Sequence, residues 1–256
     1  MSETEVLHGL IGCLDLTNLE ENCDSAAITA LCEKARTPQG NVAAVCIQPR
    51  FVAETKALLA GTGIKIASVV NFPEGGEDTC ALEAETQQAL ADGADEIELV
   101  IPYKALAEGR PGFVETQIVR IKRICGDRVL KAVLETGALP DSDTIAKAAD
   151  IALGAGADFL KTSSATVASS NPPNRADILL TAIAEQAEQN GAVGFEAAGE
   201  IQTPEDAVAC FQTAGRIRGD ATPNPDLFRI GAGDLLDALI AALEGKQPKQ
   251  VSGARS

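Results

Sequence analysis

Eight short apolar segments, each followed by a stretch with helical spacing, set the strongest limit on what this chain can fold into. The strand candidates are residues 11–16, 41–47, 65–70, 96–101, 130–134, 158–162, 193–197 and 228–231. Between and after them, apolar residues recur at helical intervals over 26–35, 51–59, 81–91, 113–124, 144–152, 176–189, 204–213 and 235–243. Strands that alternate with helices pair in parallel, because each helix carries the chain back along the sheet. Eight such units predict an α/β fold closed as a single-domain (β/α)₈ TIM barrel over residues 1–245. An open doubly wound sheet is the alternative, but it usually carries a glycine-rich turn after its first strand, and Leu16-Thr17-Asn18-Leu19 has no glycine. Local signals agree with the βα repeat. Asp143, and Thr203 followed by Pro204, read as helix N-caps. Gly93-Ala94-Asp95 and Gly156-Ala157-Asp158 each stand where a helix ends and a strand begins. The tail at 246–256 reads as disordered.

Composition narrows the chemistry. A chain of 256 residues with 45% hydrophobic content buries a large core, and with 3% aromatics and no tryptophan that core must be aliphatic. The 37 acidic against 21 basic residues give a formal charge of −16, a surface that repels nucleic acid and anionic membranes. Seven scattered cysteines without a C-x-x-C pair suit reduced thiols and a cytoplasmic location. The N-terminus has no basic stretch followed by an apolar one, as a signal peptide would, and no apolar run is long enough to span a membrane. His8 is the one histidine, near a terminus expected to be mobile. A Ser-His-Asp triad would depend on it, and a zinc site of several histidines is impossible.

Chemistry in such a barrel belongs at the C-terminal ends of the strands. The polar residues assigned there are Asp15, Cys46, Asn71, Glu98, Lys131, Glu135, Lys161 and Glu196. A charge in an apolar strand is costly unless it is paired or used. Lys161 stands in Phe159-Leu160-Lys161-Thr162-Ser163-Ser164, and Lys131 lies inside Leu130-Lys131-Ala132-Val133-Leu134. A lysine reaching the rim or paired with a carboxylate is the plain reading. The chemical reading is a Schiff base. The neutral amine attacks a carbonyl, and the resulting iminium draws electrons from the neighbouring C–C bond. With an ordinary pKa near 10.4, roughly one lysine in a few thousand is neutral at pH 7, so the site must supply the free amine. Glu98 is the candidate to move protons.

These residues sit in stretches that resemble the 2-deoxyribose-5-phosphate aldolase family. The matches are Leu14-Asp15-Leu16-Thr17, Thr37-Pro38-Gln39-Gly40-Asn41, Cys46-Ile47-Gln48-Pro49-Arg50-Phe51, Val70-Asn71-Phe72-Pro73, Gly93-Ala94-Asp95-Glu96, Pro102-Tyr103, Leu134-Glu135-Thr136-Gly137 and Gly156 through Ser163. The resemblance implies a class I aldolase without metal or organic cofactor. It would join acetaldehyde reversibly to a small aldehyde or cleave a sugar, serve deoxyribonucleotide catabolism in the cytoplasm, and form a homodimer. It implies that Lys161 carries the Schiff base, with Lys131 and Glu98 catalytic. Asp15, Cys46, Thr162, Gly199 and Gly231 would line the substrate site.

The sequence departs from the family at several points. Glu98 replaces an aspartate. Glu196 replaces a second lysine, so a cation beside the nucleophile becomes an anion that should raise the pKa of Lys161. Glu196 would then serve as a new general acid–base or pair with Lys131. The family's phosphate-binding residues give way to Ala165-Thr166, Gly199-Glu200 with Gln202, and Gly233-Asp234. A carboxylate about 4 Å from a phosphate at an effective dielectric near 20 costs about 4 kcal/mol, so Glu200 and Asp234 argue for a substrate without phosphate. The family's C-terminal tyrosine is absent, Tyr103 being the one tyrosine. Three readings follow: an aldolase for a substrate lacking phosphate, ordinary deoxyribose-phosphate cleavage, or a catalytically silent paralogue kept for binding or regulation.

Overall fold

The computed structural model describes residues 1–164, 175–199, 201–219 and 222–246. Eight strands close into one barrel: β1 (Leu14–Asn18), β2 (Ala44–Ile47), β3 (Lys65–Val70), β4 (Glu96–Val100), β5 (Val129–Val133), β6 (Phe159–Lys161), β7 (Gly194–Ala198) and β8 (Phe228–Ala232). Each pairs in parallel with the next, and β1 closes the ring against β8, with Asp15 opposite Gly231. Helices follow the strands around the outside, as the alternating pattern requires. Among the described residues, no helix is long and apolar enough to cross a membrane.

Side chains alternate across each strand, and this divides the interior into two compartments. Outward positions such as Leu14, Leu16, Val45, Ile47, Leu130 and Leu160 join the helices in the main apolar core. The inward positions differ between strands. On β2 and β3 they are the small apolar residues Ala44, Cys46, Ala67 and Val69, which form a separate cluster capped by Leu19 and Phe72. On β1 and β4 to β8 the inward set includes Asp15, Glu96, Glu98, Lys131, Lys161, Glu196 and Arg229, all buried. Branched aliphatics usually fill such a barrel. Here much of the space is filled by charge.

The two Gly-Ala-Asp segments form matching staples. Gly93 ends its helix at φ 110°, and Gly156 stands at φ 87°, conformations that glycine adopts without a Cβ penalty. The following aspartate then grips the preceding strand twice. Asp95 N–H donates to Ile66 O at 2.8 Å, while its carboxylate accepts from Ile66 N–H at 3.1 Å. Asp158 does the same to Leu130, at 2.8 and 2.7 Å.

Several boundaries differ from the sequence expectation. Ile11 ends a helix, Glu3–Ile11, and does not begin β1. Ser2 and Glu5 close a capping box on that helix, and Leu7, Leu10 and Ile11 bury its inner face, so the terminus carrying His8 is packed and not loose. Gly40–Asn41 pairs antiparallel with Arg36–Thr37 and stands apart from β2. The helical stretch at 176–189 is two helices, Arg175–Glu185 and Ala187–Asn190. The cap of Ser142–Gly154 is Asp141, whose carboxylate accepts from Thr144 N–H at 2.8 Å, and Asp143 lies inside the first turn. Thr203 does cap Pro204–Arg218, again with a capping box. A short helix at Tyr103–Ala107 was not foreseen. Residues 247–256 of the tail lie outside the described residues.

Candidate active site

Lys161 ends β6, and parity points its side chain inward. Its amine lies 2.6 Å from Glu98 Oε2 on β4 and 2.6 Å from Glu196 Oε1 on β7. The first contact is a hydrogen bond, and the second is an ion pair outside hydrogen-bond alignment. Lys161 is 2% exposed, so a carbonyl reaches its nitrogen only when neighbouring groups part.

Lys131, on β5, sits deeper. Its ammonium pairs with Asp15, with Glu196 Oε2 at 2.7 Å, with Glu96 at 3.1 Å and with Glu98 Oε1 at 3.3 Å. Carboxylate oxygens of Asp15, Glu98 and Glu196 lie within 4.8 Å of one another, a spacing that suits a bound cation. The cation between them is Lys131. Below it, Arg229 on β8 pairs with Asp15 at 2.6 Å and with Glu96 at 3.0 Å. The Phe159 ring completes this layer, with Lys131 and Arg229 over it at 5.6 and 5.7 Å from its centroid.

Glu196 and Glu98 therefore each bridge the two lysines. Among the described residues, three cations, Lys131, Lys161 and Arg229, face four carboxylates, Asp15, Glu96, Glu98 and Glu196. One proton on a carboxylate would balance the cluster. Glu196 is where that proton is best held: burial first, with the nearby charges of Glu98 and Asp15, pushes its carboxyl up to about 7 against the pull of both lysines. Burial also opposes ionisation of Glu98 and Asp15, but the cations beside them prevail and hold both below the usual carboxylate range. Burial alone would lower Lys161, and Glu196 and Glu98 override it, so the ammonium is held above its ordinary pKa. The rise expected from an anion at 196 is thus present.

The other predicted positions separate into two groups. Cys46 joins the amine's surroundings: its thiol donates to Glu98 Oε2 at 3.3 Å, and burial pushes it well above the ordinary thiol pKa. Gly231 also belongs there, because a Cβ at that point would lie 2.7 Å from Glu196 Oε1 and 3.2 Å from Lys161 Nζ. Gly231→Ala is expected to push Glu196 off the amine while sparing the fold. A cost of about 1.4 kcal/mol to any reaction of this amine with an aldehyde would lower its rate about tenfold. Trapping rates within twofold of the parent, with the variant folded, would refute this.

The remaining predicted positions make no direct contact with the Lys161 amine or lie outside the described residues. Both oxygens of Asp15 are taken by Lys131 and Arg229, so its contribution is charge. Thr162 spends its hydroxyl on the Ala198 backbone, accepting from the N–H at 3.0 Å and donating to the carbonyl at 3.1 Å. Asn71, at φ 59°, builds the turn after β3 by donating to Gly76 O and Val100 O. Glu135, at φ 48°, accepts from Ser163 Oγ at 3.0 Å and Ser164 N–H at 2.8 Å and so fixes the segment that leaves Lys161. Gly199 follows β7 at φ 88°. Asp234 is exposed beside Leu235–Leu243 and makes no side-chain cap. Glu200 and Ala165-Thr166 lie outside the described residues.

Sequence reading missed Glu96 and Arg229. The signal was parity: Glu96 precedes Glu98 by two residues, and Arg229 precedes Gly231 by two, so each shares an inward face with a residue already assigned to the site.

Comparison with known proteins agrees with the barrel fold. Residues 10–199 match the model of the DeoC/LacD family aldolases. A deoxyribose-phosphate aldolase of Agrobacterium fabrum is 44% identical over 243 residues, 94% of this chain and 93% of its own. A putative deoxyribose-phosphate aldolase from Toxoplasma gondii superposes with a TM-score of 0.86 at 26% identity, covering 95% of this chain and 98% of that one. One from Coccidioides immitis gives 0.80 at 26% identity, covering 92% and 86%. With the barrel closed, the match spanning most of the chain and a close relative aligned nearly end to end, this protein belongs to the DeoC/LacD family of aldolases, a family of lyases.

Proposed function

We propose that the protein is a class I aldolase in which Lys161 forms the Schiff base. Acetaldehyde is the donor, and the acceptor is a small aldehyde without phosphate. The observation that carries this reading is the Lys161 amine, inside the barrel at a strand end, flanked at 2.6 Å by Glu98 and by Glu196. An iminium on Lys161 acidifies the donor's methyl group. Glu98, already bonded to this nitrogen, is placed to take a proton from the adjacent carbon and give the enamine. The enamine carbon then attacks the acceptor carbonyl, and water releases the product. Cleavage runs the same steps backward. The apolar wall of Ala44, Cys46, Ala67 and Val69 suits the small apolar end of the donor.

The reading of the acceptor rests on charge. The exposed Asp234 at the end of β8, and Glu200 in the sequence after β7, disfavour a dianion. The silent-paralogue reading draws on the same two carboxylates, which hold Lys161 protonated.

Borohydride reduction in the presence of acetaldehyde, followed by peptide mass mapping, is expected to leave an ethyl group on Lys161. A protein that gives no adduct at any pH would be the silent paralogue. Turnover of deoxyribose is expected to match or exceed that of its 5-phosphate, and a strong preference for the phosphorylated sugar would overturn the acceptor assignment.

A further inference from the structure

We infer that Glu196 is the proton acceptor of Lys161, taking the ammonium proton to free the amine and returning it as the imine forms. This rests on the Schiff-base reading and adds a catalytic residue to it.

Geometry brings Glu196 and Glu98 alike to 2.6 Å from the Lys161 amine, and the charges around each carboxylate separate their roles. Lys161 on β6 and Lys131 on β5 each hold one oxygen of Glu196, at 2.6 and 2.7 Å. Glu98 on β4, Asp15 on β1 and Cys46 on β2 face the same cluster, and Arg229 on β8 stands beside it in register. Lys131 is fixed as a cation by four carboxylates, so it steadies Glu196 without competing for the role of nucleophile. Glu98 has the same reach to Lys161, but cations hold it firmly ionised. Glu196 is the carboxylate that burial makes the better base. Oε1 lacks an aligned hydrogen bond, and a small rotation of the amine supplies one.

The proton count closes on this one carboxylate. The Lys161 ammonium gives a proton to Glu196, leaving an amine and a carboxylic acid. The nitrogen lone pair forms a bond to the carbonyl carbon, and the C=O π pair moves to oxygen, which takes the proton from Glu196. Glu196 then removes a proton from the now positive nitrogen. It returns that proton to the hydroxyl as the C–O bond breaks, and the nitrogen lone pair closes the iminium. Ammonium and aldehyde become iminium and water with no net proton released, so Glu196 ends as it began.

This mechanism predicts an unusual pH profile. An isolated lysine gains neutral amine about tenfold per pH unit up to its own pKa. When Lys161 and Glu196 share one proton, the amine–acid tautomer is a constant fraction of the singly protonated pair. Imine formation should therefore rise with pH until Glu196 is ionised, near 7, and then level off. The test is a rapid borohydride quench of the wild-type protein with acetaldehyde, measuring the rate of adduct formation at Lys161 from pH 5.5 to 9.5. Glu196→Gln should replace the plateau with a climb of about tenfold per unit. Glu98→Gln should keep the plateau, though slowing later steps. A tenfold climb per unit above pH 7 in the wild type overturns the proposal even if Glu196→Gln fails to fold. So does a plateau that survives in Glu196→Gln. Absence of adduct in every protein overturns the Schiff-base reading itself.

Discussion

Lys161→Met is expected to remove the borohydride-trapped adduct and to lower aldol turnover by about 10⁴-fold or more, the scale on which loss of a covalent nucleophile acts. The expected loss is this large because no other nearby amine among the described residues is free to replace it. Lys131 is the other lysine inside the barrel, and four carboxylates bind its ammonium. A factor of 10⁴ is about 5.5 kcal/mol of barrier, more than a disturbed neighbour supplies. Methionine keeps the length and bulk of the side chain, and Glu196 absorbs the lost charge by holding a proton more tightly. The variant is thus expected to keep its circular dichroism spectrum. Adduct appearing on another lysine, or turnover within tenfold of the parent, would move the chemistry away from Lys161.

Lys131→Met should act on the fold more than on a single step. It strips the shared cation from Asp15, Glu96, Glu98 and Glu196, leaving buried carboxylates to face Arg229 and Lys161 alone. Breaking a buried pair from one side costs about 3–5 kcal/mol, and a lysine shared four ways belongs at or above the top of that range. Urea unfolding reads this directly as a lower midpoint. The double variant Lys131→Met/Glu196→Gln should recover part of the loss, because it removes one of the stranded anions. Strictly additive losses, or a single variant within about 1 kcal/mol of the parent, would show that the ammonium is not the centre of the network.

The barrel was legible in the sequence because its strands are short, apolar and separated by helices with recognisable caps. The strand around Phe159-Leu160-Lys161 and the Gly-Ala-Asp segments announced themselves by local pattern alone. The helix Glu3–Ile11 was harder: it is short, and its best marker, the Ser2–Glu5 capping box, is a weak signal beside a strand candidate that began at Ile11. The charged interior was legible as a set of suspicious residues but not as a network. Asp15 and Lys131 are 116 residues apart, and Asp15 and Arg229 are 214 apart, so their pairing follows from barrel closure and from no local pattern. The contact between Thr162 and Ala198 was hidden for a related reason, since Ala198 is on the next strand. The placing of Glu196 beside Lys161, or paired with Lys131, came from the family resemblance, and the structure has it do both.

The staples made by Asp95 and Asp158 lie at the beginnings of β4 and β6, whereas Lys161 lies at the finish of its strand. Rigidity and the buried amine are thus anchored at opposite poles of the barrel. A lineage built this way can exchange the turns around its amine, and with them what it accepts, without loosening the frame that keeps that amine in place.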